Sequence, residues 1–254
     1  MATAKAPDRL YPVRIIRHGL QIVLTRPLQL FGLAGIAVFV ATGLDMLAAR
    51  LIASADLANI LGFVIQASGS AMAAVAVTRV VLAQADGREL GVAEAYRAAG
   101  PAALRVFGAS LLVSIGVLIG FILFVVPGLW LATLWIVAVP AAIVEDLPPL
   151  SAVRRSSQLT RGNRWPALVL VILSVAVGTG LGLLLALLIG IPLGWFAGPE
   201  AVETATGYTH FGQVLESVGV AVQVVLSSTF AALTWHRLRE IWRGAGRRAA
   251  ASAA

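Results

Sequence analysis

Six long apolar segments dominate the chain, and short clusters of charged residues separate them. A helix needs ~20 apolar residues to cross a hydrocarbon layer of ~30 Å, because each residue adds ~1.5 Å. The segments are continuously apolar and do not alternate with period two, so they predict helices and not barrel strands. The sequence therefore predicts an all-α integral membrane protein, one polytopic domain over residues 1–254, with spans at 27–49, 57–82, 102–126, 129–144, 166–193 and 214–235.

The composition agrees with a membrane protein. Hydrophobic residues make up 59% of the chain and charged residues 12%, whereas soluble domains carry about 25% charged residues. So few charges cannot cover the core of a water-soluble fold of this size. The absence of cysteine excludes disulfides and thiolate-ligated metal sites.

The positions of the cations predict the orientation. Of the 19 Lys and Arg residues, all but Arg50 fall in alternate loops and at the two ends of the chain. Such loops face the cytoplasm, so we expect both termini there, with residues 236–254 forming a basic cytoplasmic tail. We do not expect a cleaved secretory signal, because charges interrupt the amino-terminal segment and its first apolar run is too long.

Residues 8–25 predict an amphipathic helix that lies in the membrane interface. Apolar and polar positions fall on opposite sides of this helix: Leu10, Val13, Ile16, Leu20 and Val23 against Arg14, Arg17, His18 and Gln21. A cytoplasmic extension or an early start of the first span is the alternative. Residues 91–100 and 150–161 repeat the pattern more weakly, and each segment precedes a proline that opens a span. We therefore expect three helical hairpins, with cytoplasmic interfacial helices before spans 1, 3 and 5.

Arginines of these interfacial segments are the candidate contacts to anionic lipid headgroups, each contributing ~1 kcal/mol near the surface. Nucleic acid is the other partner that a basic chain suggests. Every basic cluster flanks a span, and none is interleaved with aromatic residues, so we expect lipid and no nucleic acid. The candidate contacts are Arg14, Arg17, Arg97, Arg154, Arg155 and Arg161.

Few residues offer chemistry. Gln66 and Ser70 in span two and Gln223 and Ser227 in span six could line a polar seam, or act as interhelical hydrogen bonds of ~0.6 kcal/mol each, which we favour. A seam would indicate a small transporter or lipid translocator with its path between spans two and six. The outer loop carries Glu200, Glu203 and His210, which we interpret as solvated and not as a metal site. No phosphate-binding glycine loop occurs, and we expect no catalysis, no cofactor and no metal.

The central part of the chain carries a distinctive run: PGLWLA at 127–132, AVPA at 138–141, VED at 144–146, PLSA at 149–152, RRS at 154–156 and LTRGN at 159–163. It resembles the polytopic membrane domain fused to some bacterial glycerophosphoryl diester phosphodiesterases, and related stand-alone bacterial membrane proteins. The resemblance implies a bacterial inner-membrane module without catalysis of its own, which contacts lipid or anchors partners. In that family the phosphodiesterase chemistry resides in a separate α/β barrel, which we expect this chain to lack. A protein partner or a homo-oligomer stays open.

Several residues of this run have predicted structural uses. Pro127 and Gly128 predict a tight hairpin turn. Pro140 predicts a kink in span four, and a neighbouring helix must then satisfy the freed carbonyl. Gly162 suits the left-handed position that ends a helix, and Asn163 can cap the next helix.

Two carboxylates of the run are predicted to form ion pairs. Glu145 and Asp146 lie at the cytoplasmic edge of span four, and the chain doubles back at the prolines that follow. We expect them to pair with Arg154 and Arg155 and so to fix the surface helix against span four.

Overall fold

The computed structural model describes residues 10–52, 54–197, 203–204, 207–208 and 210–253, and nine helices make up most of these residues. Within these ranges the only other regular structure is an antiparallel pair of two-residue strands, β1 (Glu203–Thr204) and β2 (Gly207–Tyr208). The all-α prediction is confirmed. The helices are α1 (Pro12–Thr25), α2 (Pro27–Leu51), α3 (Ala55–Ala85), α4 (Val92–Leu123), α5 (Val125–Trp135), α6 (Ala138–Val144), α7 (Pro149–Leu159), α8 (Arg164–Ala197) and α9 (His210–Ala253).

Six helical segments of the described chain are long and apolar enough to cross a membrane, as the sequence predicts. They are α2, α3, the part of α4 from Ala102, α5 together with α6, α8 as far as Leu185, and α9 from Glu216 to Ala245. Large apolar side chains cover the outer faces of α4 and α8, among them Leu118 and Ile122 on α4 and Leu183 and Leu188 on α8. Apolar faces of this extent are stable against lipid and not against water.

The core lies where α2, α3 and α9 meet. Val77 and Val80 of α3 and Val225 of α9 are fully buried, and Phe230 of α9 is almost so. The helices α2 and α3 run antiparallel. Gly69 of α3 packs against Ala37 of α2, whereas Gly62, which is earlier in α3, packs against Asp45, which is later in α2. Gly69 lets the two backbones approach closely, and the missing side chain at Gly62 leaves room for the carboxylate of Asp45.

The turn between α4 and α5 is three residues earlier than predicted. Phe124 alone separates the helices, with an extended backbone, and Pro127 and Gly128 lie in the first turn of α5. Proline is tolerated there, because the first N–H groups of a helix have no partner within the helix. The role of Gly128 is close packing and not turning, since its Cα lies against Gly120 of α4.

Two segment boundaries also differ from the prediction. Residues 92–100 do not form a separate interfacial helix but run through Pro101 into α4 as one helix. Gly100 does not take a positive φ and so does not turn the chain, and the helix continues through Pro101. The predicted basic tail is likewise helical, continuing α9 without a break as far as Ala253.

The two remaining surface helices bury the predicted apolar face only in part. On α1, Ile16 and Val23 of the predicted face are buried together with Ile15, Gly19 and Ile22, whereas Val13 is 69% exposed. Gly19 packs against Phe230 of α9, so protein and not lipid covers most of this apolar face. On α7 the buried positions are Ala152, Val153, Ser156 and Leu159, whereas Leu150 is 56% exposed.

Candidate functional site

Charged residues from distant parts of the chain meet at one end of the helix bundle. Arg26 at the α1–α2 junction forms an ion pair with Glu89 in the α3–α4 loop. In α9, the indole nitrogen of Trp242 donates to the carbonyl of Leu159 at the end of α7 (3.2 Å). We call this region the basic end: α1 and its junction with α2, the α3–α4 and α6–α7 loops with the adjoining parts of α3 and α4, α7 and its junction with α8, and α9 from residue 235.

Five of the six predicted headgroup arginines are exposed at the basic end: Arg14, Arg17, Arg97, Arg154 and Arg161. The guanidinium of Arg14 also stacks over the ring of Tyr11, 4.9 Å from its centroid. The sixth, Arg155, is half-buried, and its Nε donates to Glu145 Oε2 at 2.8 Å. Arg155 therefore fixes α7 to the end of α6, as the sequence predicts for this pair, and is the one candidate already held by a carboxylate.

Asp146 pairs with a residue that the sequence did not indicate. Its carboxylate contacts Arg105 of α4 at 2.8 Å and not Arg154, and its own carbonyl accepts a second bond from Arg105 (3.1 Å). Asp146 has a φ of 51°, a left-handed conformation that aspartate tolerates better than most residues. The antiparallel packing of α4 against α6 brings Arg105 to this position, a long-range relation that local spacing does not reveal.

The predicted kink near Pro140 is a complete break between α5 and α6. Ser156 of α7 satisfies the backbone there: its hydroxyl donates to the carbonyl of Leu134 (2.7 Å) and accepts from the N–H of Val137 (3.3 Å). A neighbouring helix satisfies the backbone, as predicted, but no local pattern in the sequence indicates this serine. The side chain is fully buried.

The junction between α7 and α8 holds the start of the described chain. Gly162 has a φ of 87°, the left-handed conformation predicted for it. Asn163 directly precedes α8, in the predicted cap position, and its side-chain oxygen accepts a hydrogen bond from the N–H of Leu10 (3.1 Å). This bond ties the segment before α1 to the junction.

A cavity of about 580 Å³ opens between α3, the α3–α4 loop, the end of α6 and α9 at the basic end. We call it the arginine pocket. Its volume is in the range of ~300–1,000 Å³ that is typical of ligand sites. Its polar lining includes Arg79, Arg88, Glu94, His236, Arg239 and Arg243.

Four of the five carboxylates that line the arginine pocket are already compensated. Since Arg26 donates a hydrogen bond to Glu89 and lies beside it, the pKa of that carboxyl is lowered. The contribution of this pair to stability is thus present above the ordinary pKa of glutamate and is lost as the pH falls through the lowered value.

The four compensated carboxylates of the arginine pocket each contact a cationic side chain. The pairs are Asp86 with Arg88 (3.2 Å) and with His236 (3.3 Å), Glu89 with Arg26, Asp146 with Arg105 (2.8 Å), and Glu240 with Arg237 (2.9 Å).

The predicted polar seam is divided between two places. Gln66 donates to Thr42 of α2 (3.0 Å), whose hydroxyl also lies 2.6 Å from that of Ser217 in α9. Gln66 and Ser70 line a cavity of about 410 Å³ at the end of the bundle opposite to the basic end. A hydrogen bond from α3 to α2 is the interhelical role that we favoured for Gln66.

The other two residues of the predicted seam lie apart from this cavity. The side chain of Gln223 packs against Gly178 of α8, and the hydroxyl of Ser227 donates to the carbonyl of Val224 in its own helix (3.3 Å). Buried valines, Val77 and Val80 of α3 among them, fill the bundle between the two cavities. A polar path from Gln66 past Gln223 is therefore not formed in this conformation.

The predicted outer-loop residues are largely outside the described part of the chain. Glu200 is not described, and only the backbone of Glu203 and His210 is. Across the residues whose side chains are described, no group of three His, Asp or Glu residues is placed to hold a metal ion.

Comparison with known proteins gives one match. The sequence model of a protein family described as the membrane domain of glycerophosphoryl diester phosphodiesterase matches residues 109–236, half of the chain. The matched range runs from α4 to α9 and includes the distinctive central run. No curated protein and no solved structure matches the chain.

Proposed function

We propose that this chain, which belongs to the family of the membrane domain of glycerophosphoryl diester phosphodiesterase, is a non-catalytic membrane module that binds anionic lipid headgroups at its basic end. The observation that carries the proposal is the set of five exposed arginines at one end of a six-helix apolar bundle. The family description supports the non-catalytic part, because it names a membrane domain and not the domain that performs the hydrolysis.

In this proposal the six spans form three hairpins in the bacterial inner membrane, with both termini and the basic end in the cytoplasm. The cation distribution supports this side, because loops rich in Lys and Arg are retained there. The antiparallel pairing of α2 with α3 supports the first hairpin, and the contact of Gly178 in α8 with Gln223 in α9 is consistent with the third. The helices α1 and α7 lie at the headgroup level.

Headgroup contact at the basic end is electrostatic. Exposed arginines in this position attract anionic lipids with ~1 kcal/mol each, and salt weakens the attraction. Trp165 is 73% exposed directly after the α7–α8 junction, and an indole ring at such a position is typical of the membrane interface. Binding at this surface would orient the module and provide a fixed platform for partner proteins.

We expect the triple variant Arg17→Gln, Arg154→Gln and Arg161→Gln to lose its preference for anionic lipid. The association constant of spin-labelled phosphatidylglycerol relative to phosphatidylcholine, measured by electron paramagnetic resonance in nanodiscs, should fall by up to about 5-fold for each charge removed. All three side chains are exposed, so the fold should persist.

The matched control is the triple variant with lysine at the same positions, which keeps the charge and should keep the preference. An unchanged preference in the glutamine variant would overturn the proposal. So would an equal loss in the lysine variant, because the contact would then depend on guanidinium geometry and not on charge.

The alternative function, a transporter with its path between α3 and α9, needs Gln66 and Gln223 to face one continuous cavity. The structure separates them, so no observation favours that function over lipid binding.

A further inference from the structure

Three arginines at the arginine pocket have no carboxylate partner. Among the described residues, Arg79, Arg239 and Arg243 form no ion pair, although five carboxylates line the same cavity. Four of those carboxylates already form ion pairs with other cationic side chains, as described above. Only Glu94 opposes the three free cations, so the pocket carries a local excess of positive charge.

The arrangement of these cations is built into α9. Trp235, Arg239 and Arg243 follow one another at intervals of four residues, so they share one face of the helix. The guanidinium of Arg239 stacks over the ring of Trp235, 4.8 Å from its centroid. Stacking restricts the guanidinium plane while leaving its N–H groups free to donate. Arg79 faces the same cavity from α3.

Two buried donors at the pocket have no acceptor. Trp235 is 2% exposed, and its indole N–H has no hydrogen-bond partner; the buried Nε of Arg79 has none either. A buried donor without an acceptor costs ~1–3 kcal/mol, and a buried cation costs more. Native proteins rarely leave such groups unsatisfied unless another molecule satisfies them.

We propose that the arginine pocket binds a phosphate group, either that of an anionic phospholipid headgroup or a soluble phosphate. A phosphate accepts several charge-assisted hydrogen bonds at once, and guanidinium groups match its oxygens in pairs. The pocket lies at the basic end, where the phosphates of a cytoplasmic leaflet would be. This inference deepens the proposed lipid contact and rests on it for the lipid source, but it assigns a defined site instead of a diffuse surface.

The test is titration calorimetry on the full-length protein in detergent, with inorganic phosphate, dihexanoyl phosphatidylglycerol and dihexanoyl phosphatidylcholine as probes. We expect saturable binding and mutual competition between phosphate and phosphatidylglycerol. Tighter binding of phosphatidylglycerol than of phosphate identifies the lipid source, and the reverse order identifies the soluble one. Absence of saturable binding for both inorganic phosphate and phosphatidylglycerol overturns the proposal.

The variants separate this pocket from the exposed surface. Arg239→Gln with Arg243→Gln should weaken binding at least about 10-fold, as expected for lost hydrogen bonds to a charged group. Arg243→Gln alone, at an exposed side chain, should weaken it in the same direction with the fold intact, and Glu94→Gln should tighten it. The control Arg50→Gln removes one exposed positive charge near the end of α2, at the opposite end of the bundle, and should leave binding unchanged.

The two proposals fail separately. Equal losses in the pocket variant and in the control would overturn the pocket, because the probes would then sense only overall charge. Loss of lipid preference in the Arg17, Arg154 and Arg161 variant is expected whether or not the pocket binds phosphate. Unchanged phosphate binding in Arg243→Gln and in Glu94→Gln would also overturn the pocket.

Discussion

Replacing Gly120 with alanine will destabilise the protein by about 1–3 kcal/mol, the range for overpacked interiors. A Cβ at this position would lie 2.8 Å from Cα and 3.0 Å from the backbone nitrogen of Gly128. Backbone atoms cannot rotate away as a side chain can, so α4 and α5 would have to separate. The free energy of unfolding in mixed micelles, followed by tryptophan fluorescence, measures the effect.

Gly180→Ala is the matched control for this variant. Gly180 is exposed on α8, and a Cβ there meets nothing within 4 Å. Alanine is the better helix former by ~1 kcal/mol, so this change should leave stability unchanged or raise it. A Gly120→Ala protein as stable as the Gly180→Ala protein would show that α4 and α5 do not pack as closely as described.

Replacing Ser156 with alanine will cost about 1–3 kcal/mol, because it leaves two buried backbone groups without partners. The hydroxyl joins the carbonyl of Leu134 and the N–H of Val137 across the break between α5 and α6. No other contact described at the break replaces it. The same unfolding measurement applies.

Ser157→Ala, one residue further, provides the control. The hydroxyl of Ser157 donates only to the carbonyl of Val153 in its own helix (3.1 Å), and that carbonyl already has a helical partner within reach. We expect a change below about 0.5 kcal/mol, typical of a surface substitution. Equal effects of the two substitutions would contradict the role assigned to Ser156.

The parts of the fold that sequence predicts are those that depend on one helix at a time. Length and continuous hydropathy define the six spans, because lipid requires each helix to satisfy its own backbone. Gly162 is similar, since its left-handed conformation follows from local steric freedom. Helix ends are harder: the turn at Phe124 follows from how closely Gly120 and Gly128 approach, which no local pattern encodes.

Contacts between distant helices could not be predicted in the same way. Arg105 reaches Asp146, and Ser156 reaches the α5–α6 break, only because α4, α6 and α7 pack together. Part of the arginine pocket can be recognised in the sequence. Arg79 interrupts the apolar run of α3, and Trp235, Arg239 and Arg243 lie on one helix face, but which carboxylates are free to pair with them depends on the tertiary structure.

The orientation of the bundle is the premise on which the lipid and phosphate proposals depend, and the cysteine-free sequence makes it directly measurable. Single cysteines at Ala55, at the start of α3, and at Gln158, exposed on α7, report the two ends. In intact spheroplasts a membrane-impermeant maleimide should label Ala55→Cys at once, and Gln158→Cys only after lysis. Labelling of Gln158→Cys in intact spheroplasts, or recovery of the protein from the soluble fraction without detergent, would contradict a membrane bundle whose arginine-rich end faces the cytoplasm.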